Sequence, residues 1–220
     1  MQSRAKEQSS KLRPQLYLVT TPSIGATGDL SSLEAVLAAA SVAAVLVQRD
    51  GGEGENAFVR RARAIGERVQ GRGVAMLLRD QADLALRSQA DGAHLTSVES
   101  LRAALPSLKP DLIAGAGGLV SRHDAMVAAE LGADYIMFGG PDLEGRTPPF
   151  PAVLERVAWW SEVFEVPCVG WAETVTQAVD LANAGADFVA VGEFIWNDAR
   201  GPAVAMAAVA AAIGDVEVVR

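Results

Sequence analysis

The sequence predicts one α/β domain folded as a (β/α)8 TIM barrel, on three observations. Eight short apolar runs recur along the chain, stretches of helical spacing separate them, and no segment is left over for a second domain. Continuous apolar runs rich in β-branched residues are what parallel strands covered on both faces look like. An open doubly wound sheet would share the alternation. The count of eight units, with nothing spare in 220 residues, favours closure into a barrel.

In chain order the strands are expected at 16–20, 42–48, 74–78, 92–95, 112–115, 135–138, 167–171 and 188–191. The helices are expected near 32–40, 55–70, 80–89, 98–104, 122–131, 151–164, 174–184 and 202–213. Ser31 with Glu34 fits a capping box, and Ser121 and Thr174 are placed as N-caps. A weak repeat supports the alternation: Gln89-Ala-Asp91, Gly132-Ala-Asp134 and Gly185-Ala-Asp187 each lead straight into an apolar strand. Glycine at a helix C-terminus, followed by a strand, is the expected αβ connection. The polar, charged stretch 1–15 reads as a disordered lead-in, with the barrel over 16–220.

A net charge of −8 argues against nucleic acid and against anionic membrane surfaces as partners. No apolar stretch approaches the ~18 residues of a membrane span, and no secretory signal opens the chain, so the cytoplasm is the expected compartment. Cys168, the single cysteine, lies in an apolar run and reads as a core thiol.

Barrel sites are built from the loops after the strands. Here these carry Thr20 and Thr21; Gln48, Arg49 and Asp50; Arg79 and Asp80; residues 94–99; 115–118; 139–149; 171–174; and 192–194. The three lysines, Lys6, Lys11 and Lys109, fall in the tail and before a strand, away from these loops. Anion binding would therefore have to use arginine, metal and backbone donors, with Arg49, Arg79, Arg122 and Arg146 as the candidate cations. The loops after the seventh and eighth strands, which commonly hold phosphate, instead carry Glu173 and Glu193.

Five segments, Leu16-Tyr-Leu-Val-Thr20, Val45-Leu-Val-Gln48, Asp80-Gln-Ala-Asp-Leu-Ala-Leu86, Ala90-Asp-Gly-Ala-His-Leu95 and Gly132-Ala-Asp-Tyr135, bear a resemblance. The chain resembles thiamine-phosphate synthases and the related thiazole tautomerases from Leu16 along nearly its whole length, as a divergent member. The resemblance implies a transferase that joins an aminopyrimidine diphosphate to a thiazole phosphate and releases diphosphate with magnesium.

Position by position, it makes Gln48 the family's second-strand glutamine. The arginine and lysine that follow in the family fall at Asp50 and Gly52, and a one-residue gap would recover only Arg49. Arg79 stands for an asparagine, Asp80 for the first magnesium aspartate and Glu99 for the second. Glycine near Gly117 replaces a serine, and the threonine–lysine loop after the sixth strand is missing, with Arg146 as its one cation. Ala172 and Glu173 take the place of paired glycines, and Gly192 or Glu193 that of a serine. The tautomerase histidine falls on Leu119, and His123 is not in register with it. The resulting set is Gln48, Arg49, Arg79, Arg146, Gly117 and Gly192 for substrate, with Asp80 and Glu99 for Mg2+. No acid–base residue is assigned; His94 is read as a hydrogen-bonded barrel residue and Trp171 as filling the mouth or packing beneath it.

Three readings stay open. One is a synthase with a degraded phosphate site and weak or lost activity on pyrimidine and thiazole phosphates. Another is a non-catalytic ligand sensor or partner protein of the same fold. The third is a tautomerase-like enzyme on a less anionic substrate. A homodimer is carried as an expectation that no residue pattern selects.

Overall fold

The structure, a computed structural model, describes residues 13–142, 145–214 and 216. Of the expected lead-in, residues 1–12 lie outside the described residues, while its last residue opens the first strand. The strands are β1 (Gln15–Val19), β2 (Val42–Val47), β3 (Ala75–Arg79), β4 (Gly92–Leu95), β5 (Ile113–Ala116), β6 (Tyr135–Phe138), β7 (Cys168–Ala172) and β8 (Phe188–Val191). They form a closed barrel in sequence order, all parallel, with β8 pairing back onto β1. Each of the eight apolar runs becomes a strand.

The helices are α1 (Ser31–Ala39), α2 (Glu55–Val69), α3 (Ala85–Ser88), α4 (Val98–Leu108), α5 (Arg122–Glu130), α6 (Phe150–Val163), α7 (Val175–Asn183), α8 (Glu193–Trp196) and α9 (Pro202–Gly214). Ser121 caps α5 reciprocally with Asp124, and Thr174 caps α7 through Gln177 N–H. Ser97 and Ser100 form a further capping box on α4. Ser31 does not cap α1, because it is already helical. Asp29 does that work from two residues upstream, accepting from Ser31 N–H at 2.8 Å. Helix α4 runs past the expected end at residue 104 and contains Pro106. Proline inside a helix costs about 3 kcal/mol. Continuing it buries Leu108 on the same face as Leu101 and Ala104, and a fully buried leucine recovers about 1.5–3 kcal/mol.

The three Ala-Asp joints share one geometry. Asp91, Asp134 and Asp187 each accept, through a carboxylate oxygen, a backbone N–H from the first two residues of the preceding strand: Met76 at 2.7 Å, Ala114 at 2.7 Å and Cys168 at 2.8 Å. Their own N–H groups donate to the carbonyls of the same three residues. One aspartate thus satisfies both backbone groups that a strand start leaves open, with no need of water. Lys109 pairs with Asp134 at this end of the barrel, opposite the loops of the site.

The barrel interior is filled by a side-chain cluster that includes Tyr17, Leu46, Leu77, Tyr135, Met137 and Val169. Gly115 makes room for it, since a Cβ there would fall 2.0 Å from the Tyr135 ring. A larger apolar layer lies between strands and helices. Within it Trp160 of α6 is fully buried and meets Phe138 of β6 edge to face. Cys168 is buried there as a free thiol.

Gln89 ends α3 in the left-handed region (φ 56°), at the joint position where Gly132 and Gly185 also have positive φ. Such a conformation costs a non-glycine residue about 1–2 kcal/mol, partly offset by the greater unfolded-state entropy of glycine. Gln89→Gly should therefore raise unfolding free energy by roughly 0.5–1 kcal/mol in urea denaturation, while Gln89→Ala, which keeps the strain, should not. A destabilised glycine variant would contradict this account of the joint.

Candidate functional site

The C-terminal ends of the strands carry the chain's concentration of uncommitted-looking polar residues, and the structure shows where each is held. Gln48 follows β2, and its amide donates to Thr20 O at 2.6 Å. Its carbonyl oxygen accepts from Arg79 Nη1 at 3.0 Å. The other terminal nitrogen of Arg79 donates to Pro141 O at 2.7 Å, in the loop after β6. A single guanidinium therefore links the ends of β2 and β3 to the far side of the mouth.

Asp80, next to Arg79, is held in a left-handed conformation (φ 51°). Its two carboxylate oxygens accept from Thr96 N and Thr96 Oγ1, both at 2.8 Å. Arg79 Nε lies 3.7 Å from Asp80 Oδ2. Arg49 turns away from this group. Its Nε and Nη2 donate to Glu53 O at 2.8 and 2.7 Å, and its Nη1 donates to Gln81 at 3.0 Å. Arg146 pairs with Asp142 four residues earlier and stands largely in solvent. Of the sequence-based set, then, Gln48, Arg79 and Asp80 come together, whereas Arg146 is bound to its own loop and Arg49 to Glu53 O of its own loop and to Gln81 beyond β3. Arg122, the remaining cation considered, lies on the outside, paired with Glu155 and stacked over Trp159.

The glycines at the mouth mark close approaches. A Cβ on Gly117 would fall 2.5 Å from His94 Nε2, which leaves no space for a serine without moving that ring. Gly192 is buried beside Val19, with the edge of the Trp171 ring near by. Gly139 and Gly140 both have positive φ, and a Cβ on Gly140 would press on the Trp171 indole at 2.9 Å. Trp171 thus packs onto the loop after β6 from β7. Together Arg79, Trp171 and their neighbours leave a central space of about 10 Å³, far below the ~300 Å³ at which ligand pockets begin.

Recesses of about 250 Å³ open to either side, one walled by Gly118, Gly140 and Arg156 and the other by Trp171, Glu173, Glu193 and Phe194. A recess of about 450 Å³ at the opposite end, by Arg13, Arg72 and Gly214, lies away from every strand C-terminus.

The residues present do not fit a magnesium centre. Glu99 is exposed in the first turn of α4 and has no hydrogen bond or ion pair among the described residues. No group of three or more His, Cys, Asp or Glu suited to a metal occurs among them. Asp80 already faces a cation. Like charges about 4 Å apart repel by roughly 4 kcal/mol per unit pair at an effective dielectric of ~20, and magnesium carries two.

Beneath the mouth runs a buried polar chain. Tyr17 Oη and Tyr135 Oη are 2.8 Å apart, and Tyr135 Oη is 2.9 Å from His94 Nδ1. Burial, and secondarily the Arg79 charge, push the His94 imidazole down to about 3. Burial also raises both phenols well above their usual range. All three groups are therefore neutral at physiological pH, and His94 is the hydrogen-bonded barrel residue that its motif suggests. Sequence reasoning missed Thr96, which clamps Asp80. It also missed Arg61, whose buried guanidinium joins Glu53 to Ile24 O and Gln48 O. The signal for Arg61 was present, because it shares a helical face with Phe58, Ala62 and Ile65.

A profile of the thiamine monophosphate synthase family matches residues 16–195. A thiamine-phosphate synthase of Rhodospirillum centenum is 40% identical over 196 residues, covering 88% of this chain and 94% of that one. One of Hyphomonas neptunium is 38% identical over 203 residues, covering 89% and 92%. Among solved structures, thiamine phosphate pyrophosphorylase from Pyrococcus furiosus aligns with a TM-score of 0.74 at 20% identity, over 92% of this chain and 96% of that one. This last likeness concerns the fold.

The neutral His94 makes stability depend on pH. Its folded value lies below the ordinary 6.5, so on acidification the unfolded chain takes up the proton first. Stability present above pH ~6.5 is lost as pH falls toward ~3, by up to about 1.4 kcal/mol per unit for one proton. Between pH 7 and 5 the wild type should lose about 2 kcal/mol more than His94→Gln in urea melts. Parallel losses in the two proteins would mean that His94 is not buried in its neutral form.

Proposed function

The chain belongs to the thiamine monophosphate synthase family, and from that premise we propose that it is a synthase-type barrel whose diphosphate-handling contacts have become contacts within the protein. Joining an aminopyrimidine diphosphate to a thiazole phosphate then proceeds slowly or not at all. The observation that carries this reading is the Arg79 bridge from Gln48 to Pro141 O, which with Trp171 closes the centre of the mouth. The reaction class needs little acid–base help. It needs donors aimed at the oxygens of a departing diphosphate, because charge builds there as the carbon–oxygen bond breaks. Arg49 and Arg146 hold their guanidiniums against Glu53 O and Asp142, and the lysine among the described residues, Lys109, pairs with Asp134 at the opposite end of the barrel. Loss of one such donor typically costs ~10²–10³ in rate.

Charge on the other wall points the same way. Glu173 and Glu193 line the recess between the β7 and β8 loops, beside Trp171 and Phe194. A carboxylate pair with aromatic walls disfavours phosphate and suits a less anionic small molecule. That recess supports the second reading, a tautomerase-like step on such a ligand. Either way the partner is a small molecule and the setting the cytoplasm; among the described residues no helix is long and apolar enough to cross a membrane. Gel filtration would decide between monomer and homodimer.

The direct test is thiamine phosphate formation from the two phosphorylated substrates, followed by oxidation to the fluorescent thiochrome. We expect kcat/KM at least ~10²-fold below that of the Rhodospirillum centenum relative assayed beside it, and comparable values would overturn the proposal. Glu173→Gly should also tighten thiazole phosphate binding by about fivefold in calorimetry, as expected for removing one like charge worth ~1 kcal/mol at a partly exposed site. Unchanged affinity would remove the recess from the site.

A further inference from the structure

We infer that Arg79 is a built-in cation that takes the place of a divalent ion in this barrel, so that the mouth holds its charge balance without magnesium. This rests on the family reading for the expectation of a metal, and on the geometry for its exclusion. The Arg79 guanidinium is 17% exposed and held on three sides: Gln48 Oε1 at 3.0 Å, Pro141 O at 2.7 Å and the Asp80 carboxylate at 3.7 Å. Gln48 is itself fixed by Thr20 O. A side chain tied at both terminal nitrogens is not free to swing aside for an arriving cation.

Asp80 is equally occupied. Thr96 fixes both of its oxygens, which sets the plane of the carboxylate. Arg79 faces Oδ2, so the carboxylate already has the positive partner that a metal would supply. The only other carboxylate assigned to the ion, Glu99, stays in solvent on α4. Magnesium is usually held by one or two carboxylates with water and substrate phosphate completing its shell, and here the one carboxylate at the mouth is already bonded by Thr96 and faces a guanidinium. The arginine cannot lose its charge at any ordinary pH, so this exclusion is permanent rather than switchable.

The test is binding of Mn2+, an ion of the same oxygen preference, followed through the electron paramagnetic resonance of free Mn2+ with the full chain. The wild type should leave the free signal unchanged up to about 1 mM metal, the weak limit for a protein oxygen site. Arg79→Asn and Arg79→Gln each remove the charge while keeping a polar amide at the position. Either should take up one Mn2+ with at least about tenfold tighter binding than wild type, and adding Asp80→Asn should abolish the gain. If the asparagine variant fails to fold, the glutamine variant carries the test.

Binding of one Mn2+ by the wild type that disappears in Asp80→Asn would overturn the inference. So would a folded Arg79 variant that gains no binding, or a gain that survives loss of Asp80. The readout is independent of turnover. A chain that made thiamine phosphate rapidly while binding no Mn2+ would sink the functional proposal and leave this inference standing, and slow turnover with Asp80-dependent Mn2+ binding would do the reverse.

Discussion

Arg79 leaves the end of β3 with its guanidinium directed across the top of the barrel, and the arrangement of the mouth follows from where its hydrogen bonds go. It reaches Gln48 on one side and Pro141 on the other, and it neutralises Asp80 beside it. Each contact constrains a different loop. Gln48 is pinned to Thr20, Asp80 to Thr96, and the loop after β6 is drawn under Trp171. Hydrogen bonds to a charged donor are worth about twice neutral ones, and a partly buried arginine left without acceptors would be costly. The loops thus close around the cation, and the space left at the centre of the mouth is about 10 Å³.

The same economy of charge extends outward. Arg61, almost wholly buried on α2, is matched by both oxygens of Glu53 and by carbonyls from the first two strand-end loops. That pairing holds the Glu53 carboxyl below its usual range. Arg49 then caps the carbonyl of the same Glu53. The loop after β2 is therefore stabilised by arginines that face inward, toward the protein. In a site meant to grip a polyanion those donors would face outward. The face between β7 and β8 shows the complement, with unneutralised carboxylates where many barrels hold phosphate.

Below the mouth the barrel is held by neutral groups. Tyr17, Tyr135 and His94 satisfy one another across strands β1, β6 and β4, in a space that Gly115 and Gly117 keep open. A buried chain of this kind tolerates no unpaired member, so the ring positions are rigid. His94 belongs to this scaffold, and its neutrality is a consequence of burial rather than a sign of proton transfer.

What the sequence by itself determined is the barrel. Apolar runs such as Val42–Val47 and Phe188–Val191 read as two-sided strands from their length and β-branched content, and the Ala-Asp joints announce where three of them begin, because both signals are local. Cap positions were equally legible at Ser121 and Thr174; Ser31 misled because Asp29, two residues earlier, competes for the same N–H. The residue types of the site could also be read: the missing lysines, the glutamates after β7 and β8, and the Gln48, Arg79 and Asp80 group. The tertiary structure alone decided which arginines are available. Arg49, Arg79 and Arg146 look alike in sequence, yet their partners, Glu53 O, Pro141 O and Asp142, include backbone carbonyls and depend on loop paths. A carbonyl carries no residue-type signal, and in the case of Arg79 it lies 62 positions away along the chain. Direction of charge, unlike its presence, is set by contacts that only the closed barrel brings together.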